Sequence, residues 1–497
     1  MRRRLAILAV AVFAIALVWG AVMWHWHRVQ HDVRTEDVWL YLVGLPLAML
    51  LVGALLWRSW RRSAVQAGST SSPTVEAPPA PASGAQTPAA QAACRLLAWG
   101  LAAPGADDGA TLLALVQAPP AVTLDPELLA SDGFGVFTRR CALAEDGEGQ
   151  ALVDPTLARL PRPCRAWRLA LHALQEPLMA VRLRHDLLPV VAPSSHTAPD
   201  SDHPTLVMPR AHAPIARPAV RVVWALPAHW AEGERLAAEE AVAAQVALWR
   251  AEMPRIDWHL ELLPVTGGER ALWHAEQRLA LMRRESASDL LLLVAADSGI
   301  DAAWIDALDE QGQLFTARRP RGQMPGEAAV ALLLDGRGDA DPPSEADAEP
   351  PVLLQPLSLQ RRSASADEAG GPDSRALESA FDEAVRGAGY MASDVQRVVA
   401  DHDLSAGRSR ELFQGLMRCL PHEDAAERCL CIGTACGHTG IASALLCVAI
   451  AAEAVRLQQA PVCALPVADA HDRLAALVAP VRRLCADTAA APNTSSS

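Results

Sequence analysis
Two long apolar runs open the chain. Leu5 to Trp24 and Val38 to Trp57 are each almost unbroken in apolar residues. At about 20 residues apiece, either spans a hydrocarbon core of roughly 30 Å as an α-helix. Gly44, Pro46 and Gly53 lie inside the second run, where a lipid-embedded helix tolerates them. Trp19, Trp24 and Trp26 gather at one end and Trp57 and Trp60 at another, as interfacial rings do. Arg2, Arg3 and Arg4 precede the first run, and Arg58, Arg61 and Arg62 follow the second. The loop between them offsets Arg28 and Arg34 with Asp32, Glu36 and Asp37. The positive-inside bias therefore predicts a two-helix transmembrane hairpin over 1–62, with both termini cytoplasmic in a bacterial inner membrane. A cleaved signal peptide is the bland alternative. Against it, no small-residue cleavage site follows Trp24, and a second span comes at once.

The pattern then changes character. Residues 63–93 are rich in Pro, Ala, Ser and Thr and read as a semi-extended tether. Residues 94–193 mix a helix-like stretch at Thr111–Gln117 with a turn at Asp132-Gly133 before Val136-Phe137, predicting a small α+β domain. Residues 194–218 are a second linker. From Val220 onward, strand-like runs (Val220–Leu226, Ile256–Val265, Leu290–Ala295, Ala328–Leu334, Val395–Ala400, Leu430–Gly433) alternate with helical stretches. Those stretches are Glu232–Met253, Glu269–Glu285, Leu377–Gly389, Ser409–Leu420 and Thr439–Leu457. Apolar strands alternating with helices predict an α/β domain over 219–488, its sheet covered on both faces. An acidic, Pro-rich stretch at 338–371 is expected to be a mobile insertion, and 489–497 a disordered tail. No fixed-period repeat is visible.

Composition narrows the functional classes. The net charge of −13 in 497 residues argues against nucleic acid as a partner. All basic charge is Arg, with no Lys in the chain. That excludes lysine Schiff-base and P-loop chemistry, and with so much Ala it suggests a GC-rich bacterial genome. The 10 Cys are scattered rather than spaced as a secreted disulfide scaffold, so most are expected reduced and buried.

Four segments resemble condensing enzymes of the thiolase fold. Asp289–Ile300 (DLLLLVAADSGI) resembles their strand and turn, and Gly322–Leu334 (GQMPGEAAVALLL) their Pro-Gly-Glu-Ala-Ala turn and apolar strand. Val395–Leu412 (VQRVVADHDLSAGRSREL) is similar to the strand that ends in a catalytic His. Gly437–Leu446 (GHTGIASALL) is similar to the Gly-His-Thr-Gly start of a helix in β-ketoacyl synthases. The resemblance runs over 220–455 and implies a thiolase-like layered domain behind the hairpin and the small α+β domain. It maps His402 and His438 onto the two imidazoles that stabilise the oxyanion of decarboxylative condensation. The reaction also needs a Cys thiolate at a helix N-terminus. The corresponding stretch, Pro264-Val265-Thr266-Gly267-Gly268-Glu269-Arg270, offers only Thr266. The Lys that precedes the second His in many condensing enzymes is also missing. His402 and His438 are thus expected to be vestigial, and losing the nucleophile costs several orders of magnitude in rate.

Other constellations have bland readings. Cys429-x-Cys431 with Cys436 and His438 invites zinc, but a pair spaced by one residue departs from the usual ligand spacing, and buried core cysteines are the reading taken. His25, His27 and His31 are solvated loop histidines, the 338–371 carboxylates are solvated, and Asp289 and Asp297 are turn residues at the ends of a strand. No metal and no cofactor is expected. The layout of hairpin, tether, small domain and thiolase-like domain is similar to the lipase-adaptor family of type VI secretion. That likeness implies a non-catalytic adaptor or scaffold holding a secreted lipase effector for the spike protein. Thiolase-fold proteins commonly pair, so a homodimer is carried with the resemblance. The rival is a membrane-bound acyltransferase or condensing enzyme with a displaced nucleophile, Thr266 or Cys436, assisted by the two histidines. A third reading is a purely structural membrane component.

Overall fold
The computed structural model describes residues 93–145, 155–187, 218–285, 289–316, 318–320, 322–336, 352–366, 373–402 and 406–481. The chain divides into two compact units, Met1–Ala89 and Ala90–Ser497, and every described residue belongs to the second. The expected spans at 5–24 and 38–57, the tether at 63–92, the linker at 194–217 and the tail at 489–497 lie outside the described residues.

The first half of this unit runs β1 (Cys94–Ala102), α1 (Gly109–Gln117), β2 (Leu124–Leu129), β3 (Gly135–Phe137), α2 (Pro161–Ala173) and α3 (Gln175–Leu187). It continues with β4 (Ala219–Pro227), α4 (Glu232–Glu252), β5 (Asp257–Val265), α5 (Gly268–Arg284), β6 (Leu290–Ser298), α6 (Ala302–Glu310) and β7 (Glu327–Asp335). The second half runs β8 (Val352–Leu354), β9 (Ser358–Arg361), α7 (Arg375–Gly387), β10 (Arg397–Ala400), α8 (Ala406–Cys419) and α9 (Ala425–Arg428). It ends with β11 (Cys429–Cys431), α10 (Ile432–Cys436), α11 (Ser443–Gln458), β12 (Val462–Ala464) and β13 (Asp472–Pro480).

The main strands form one 11-stranded sheet in the order β11-β10-β12-β13-β8-β1-β7-β6-β4-β5, with β9 paired to β13 off this path. Its two halves repeat each other. The first half reads β5-β4-β6-β7-β1 and the second β11-β10-β12-β13-β8, the same order of third, second, fourth, fifth and first strand. In each, the second strand pairs in parallel with the third and fourth, and the fifth runs antiparallel to its neighbours. The halves join where β1 meets β8, with Cys94 opposite Leu354 and Leu96 opposite Val352. The duplication is therefore structural, carried by topology and not by a sequence period.

Two sequence expectations change here. Residues 94–193 are not a separate α+β domain. β1 is an inner strand, bonded to β7 on one side and β8 on the other, because its run Cys94–Ala102 is nearly all buried. The linker at 194–218 thus interrupts one domain. The expected mobile insertion at 338–371 also contains sheet: β8 and β9 fall within it, and Val352, Leu353, Leu354 and Leu357 are buried. Pro356, lacking an N–H, separates the two strands.

Strand alternation sorts side chains into layers. Leu291, Leu293, Val330 and Leu332 of the first half, with Ala464, Leu474, Ala476 and Val478 of the second, join one central core with α5 and α11. Leu290, Leu292, Ala331 and Leu333 face the opposite way, onto α2 and α4. Val398, Ala400, Ala475 and Leu477 pack on α7 and α8. The sheet is thus covered on both faces, as the apolar strands require. Helix α11 is buried from Ser443 through Val455. The segment Gly440–Gln458 is long and apolar enough to cross a membrane (mean hydropathy 1.8), but it lies inside the protein as a core helix.

One buried ion pair ties the second half's sheet to its outer helix. Arg473 of β13 donates to both oxygens of Glu411 in α8, at 2.7 and 2.9 Å, and Arg362 donates to the same carboxylate. Both partners are almost fully buried. Replacing Glu411 by Leu leaves the guanidinium of Arg473 without its counterion. We expect a loss of about 3–5 kcal/mol in denaturant unfolding.

Candidate functional site
The loops at the carboxyl ends of the parallel strands converge on the turn Gly437–Ser443, which leads into α11. Gly437 and Gly440 hold φ of 70° and 55°, a region that favours glycine. Each of the four motif segments touches this turn or its neighbours. The His438 N–H donates to the Met324 carbonyl at 2.7 Å, and the Gly326 N–H donates back to the His438 carbonyl at 3.1 Å. A Cβ on Gly440 would lie 2.0 Å from a carboxylate oxygen of Asp297. Ser443 donates its hydroxyl to Asp401 at 2.7 Å.

The start of α5, where the resemblance puts a nucleophile, is closed. A Cβ on Gly268 would lie 2.4 Å from the Ile441 carbonyl oxygen, so no side chain fits there without moving backbone. Thr266 is exposed at the end of β5. Glu269 is 1% exposed, and its Oε1 has no hydrogen-bond partner among the described residues. Burial first, then the nearby carboxylates of Asp401 and Asp469, push its acid up to about 8. A neutral carboxyl group thus occupies a helix start that would otherwise favour an anion.

The two histidines do not share a cluster. His402 follows β10 and is buried, with Nε2 3.0 Å from the Cys431 sulfur and its ring edge-on to Phe413. Its neighbour Asp401 faces the central turn instead, accepting from Ser443 and from the Val467 and Ala468 N–H groups at 2.6 and 3.0 Å. Both residues lie just past the end of β10, and their side chains leave in different directions. The position facing α5 is therefore an aspartate, and His402 points elsewhere. His438 is half-buried and lines a cleft with Arg162, His229, Asp297, Trp304 and Pro325.

That cleft gathers Arg162 from α2, Asp297 from β6 and Trp304 from α6. Helix α2 begins at Pro161 and is fixed on the sheet by Trp167 stacked on Trp224, with ring centroids 5.5 Å apart. It thereby holds Arg162 over the Trp304 ring at 4.4 Å. Arg162 donates to the Ser298 carbonyl at 2.9 Å and lies 2.6 Å from His229 Nε2. Burial pulls the His229 imidazole below its ordinary value, only partly opposed by Asp297, so Nε2 accepts as a neutral ring. Trp230 Nε1 donates to Asp297 at 3.3 Å. Ser298 gives its hydroxyl to the fully buried Glu327 at 2.8 Å, and Arg165 holds both oxygens of that carboxylate at 2.8 and 2.6 Å. The serine is thus committed to structure. The cleft thus presents an arginine, two imidazoles, the Asp297 carboxylate and an aromatic face.

The cysteines divide sharply. Cys436, the other proposed nucleophile, is fully buried, and desolvation pushes its thiol up to about 12. Cys94, Cys141, Cys164, Cys419, Cys447 and Cys463 are also buried, as expected for core thiols. Cys429 and Cys431 depart from that expectation, being half-buried at the sheet's end with sulfurs 3.7 Å apart. The zinc pattern does not assemble: among the described residues no group of three or more His, Cys, Asp or Glu could hold a metal. Sequence reasoning also missed Asp297. It reads as a turn residue, yet it is 3% exposed and lies at the base of the cleft. Asp289 does act locally, accepting from the Ala219 N–H that opens β4.

No protein-family model and no curated protein matches the chain. Solved structures do match. A β-ketoacyl synthase from Burkholderia phymatum aligns at a TM-score of 0.50 and 14% identity, over 79% of this chain and 100% of that one. An oxazolomycin ketosynthase domain, OzmH KS7 of Streptomyces albus, aligns at 0.50 and 14%, over 78% and 75%. At such identity the likeness carries the fold alone, and the chain has the thiolase-like, ketosynthase-like fold that its motifs suggested.

Two expectations follow from the α5 start. Gly268→Cys places a sulfur at the helix N-terminus but destabilises the chain by about 1–3 kcal/mol through overpacking against Ile441. It yields no acyl-enzyme with acyl-thioester donors, read by intact mass. Glu269 binds a proton in the folded state up to about pH 8, whereas its ordinary value is 4.5. Between these values the unfolded chain is ionised and the folded one is not, so stability falls as pH rises through that window. Glu269→Gln removes the penalty. Its melting temperature should exceed that of the unaltered protein at pH 8, with the gap closing toward pH 4.5.

Proposed function
We propose that this is a membrane-anchored, non-catalytic ketosynthase-fold adaptor that holds a lipase effector of type VI secretion for loading onto the spike. The observation that carries the non-catalytic part is the closed start of α5, where Gly268 lies against the Ile441 carbonyl and a buried neutral acid follows. Thr266, exposed, and Cys436, buried with its proton held, do not replace the missing sulfur. A fold stripped of its covalent step retains broad α/β surfaces, and protein recognition is a use that needs no chemistry.

The anchor and its orientation rest on the apolar runs 5–24 and 38–57 and their arginine flanks. The effector and spike rest on the layout of hairpin, tether and body. In this reading the body hangs in the cytoplasm on the 63–93 tether, free to meet a soluble cargo before secretion. The rival acyl-transfer reading keeps one foothold, the Cys431 sulfur beside His402.

The test is copurification of the full chain, solubilised in detergent from its native host. The adaptor reading expects one soluble lipase held in near-stoichiometric amount, whose secretion stops when the adaptor is deleted. Recovery only with an assembly of integral-membrane proteins would replace it with the structural-component reading.

A further inference from the structure
The Cys-x-Cys of β11 is unlike the chain's other described cysteines. Residues two apart on a strand share a face, so Cys429 and Cys431 present their thiols together. β11 ends the sheet path and, among the described residues, pairs with β10 alone, which leaves both cysteines half-buried, Cys429 packed against the core under α7 and α8. The sulfurs are 3.7 Å apart, and His402 Nε2 is 3.0 Å from the Cys431 sulfur. Phe413 meets the imidazole edge-on, and the chain at Gly433 packs on the His402 backbone so closely that a Cβ there would lie 2.4 Å from its carbonyl oxygen.

We propose that Cys429, Cys431 and His402 form a thiol-redox site at which a hydroperoxide oxidises the two cysteines to a reversible intrastrand disulfide. Electrostatics supports the division of labour. The Cys429 thiol and the His402 imidazole, donating to the Cys431 sulfur, pull its proton affinity down to about 5 against the opposing effect of burial. Cys429, the donor, is raised well above the ordinary thiol value, and the buried Cys94, Cys141, Cys419 and Cys436 are raised to about 12. Cys431, the sulfur that also meets the His402 imidazole, is therefore the nucleophile of the pair.

The steps balance. The Cys431 thiolate attacks one peroxide oxygen: an S–O bond forms, the O–O bond breaks, and the leaving oxygen takes a proton from solvent. Cys431 becomes a sulfenic acid. The Cys429 sulfur then attacks the Cys431 sulfur: an S–S bond forms, the S–O bond breaks, and hydroxide leaves with the Cys429 proton as water. Two thiols have lost two electrons and one peroxide has gained them. A dithiol reverses the bond by exchange. Two residues of extended strand span about 6.6 Å between Cα atoms, near the upper end of disulfide geometry. Closing the bridge therefore strains β11 and makes it readily reducible, as a regulatory pair requires.

This site does not depend on the adaptor reading, and an acyl adduct would count against that reading alone. The test uses the full chain in detergent, treated with stoichiometric hydrogen peroxide, alkylated and mapped by mass spectrometry. The expected product is one disulfide joining Cys429 and Cys431, reversed by dithiothreitol, formed while the buried cysteines stay reduced. Cys429→Ser should stop the reaction at a dimedone-reactive sulfenic acid on Cys431. His402→Asn should slow oxidation of Cys431 roughly tenfold or more. Oxidation of Cys431 no faster than that of the buried thiols, measured on the unaltered chain, would overturn the proposal, as would sulfenylation appearing first on Cys429.

Discussion

The turn Gly437–Ser443 is the point on which this molecule depends. It enters the central layer as the start of α11, and the loops from both sheet halves close upon it. Gly326 and Met324 bond its backbone, Asp297 crowds Gly440, Gly268 lies against Ile441, and Asp401 takes the Ser443 hydroxyl. Each approach is too close for a side chain on the glycine concerned. The helix that follows, buried from Ser443 through Val455, supplies apolar surface to both halves of the sheet, so the turn cannot shift without disturbing the core shared by the two halves.

That constraint also shapes the place where a condensing enzyme holds its nucleophile. A condensing site needs an open pocket at the α5 start, with a thiolate facing two imidazoles. Here glycine and backbone fill that space, Asp401 and Glu269 face each other across it, and the histidines are turned into separate clusters. Packing has taken the position that the sulfur would hold. What remains polar lies to either side: a cleft built on Arg162, His229 and Asp297, and a thiol pair built on β11.

Much of the fold from Val220 onward is legible. The apolar runs at 290–295 and 328–334 lie within β6 and β7, because buried strands of an α/β sheet are nearly all apolar, whereas α6 between them has no counterpart in the pattern. The duplication was not legible, since it resides in strand order. β1 was misassigned because its partners are some 230 residues away in sequence, at Ala329–Asp335, and local pattern carries no pairing information. β8 was hidden by the acidic, Pro-rich stretch around its three buried residues. In the site, the motif finds His402 but not which way it faces, because the chain has left β10 at Ala400 and its path from there is set by packing on Gly433 and Phe413. Cys431 was read as core, although the Cys-x-Cys spacing on a strand already placed two thiols on one face. Arg162 and His229 had no sequence signal, since they are brought to Asp297 only by the fold.

The most direct test of a ketosynthase fold without a covalent step is intact-mass spectrometry of the full chain in detergent after incubation with acyl-coenzyme A and acyl-pantetheine donors. The expected result is the unmodified mass. A stable acyl adduct, mapped to Thr266 or to a cysteine and lost on His438→Ala, would contradict it and make this protein an enzyme.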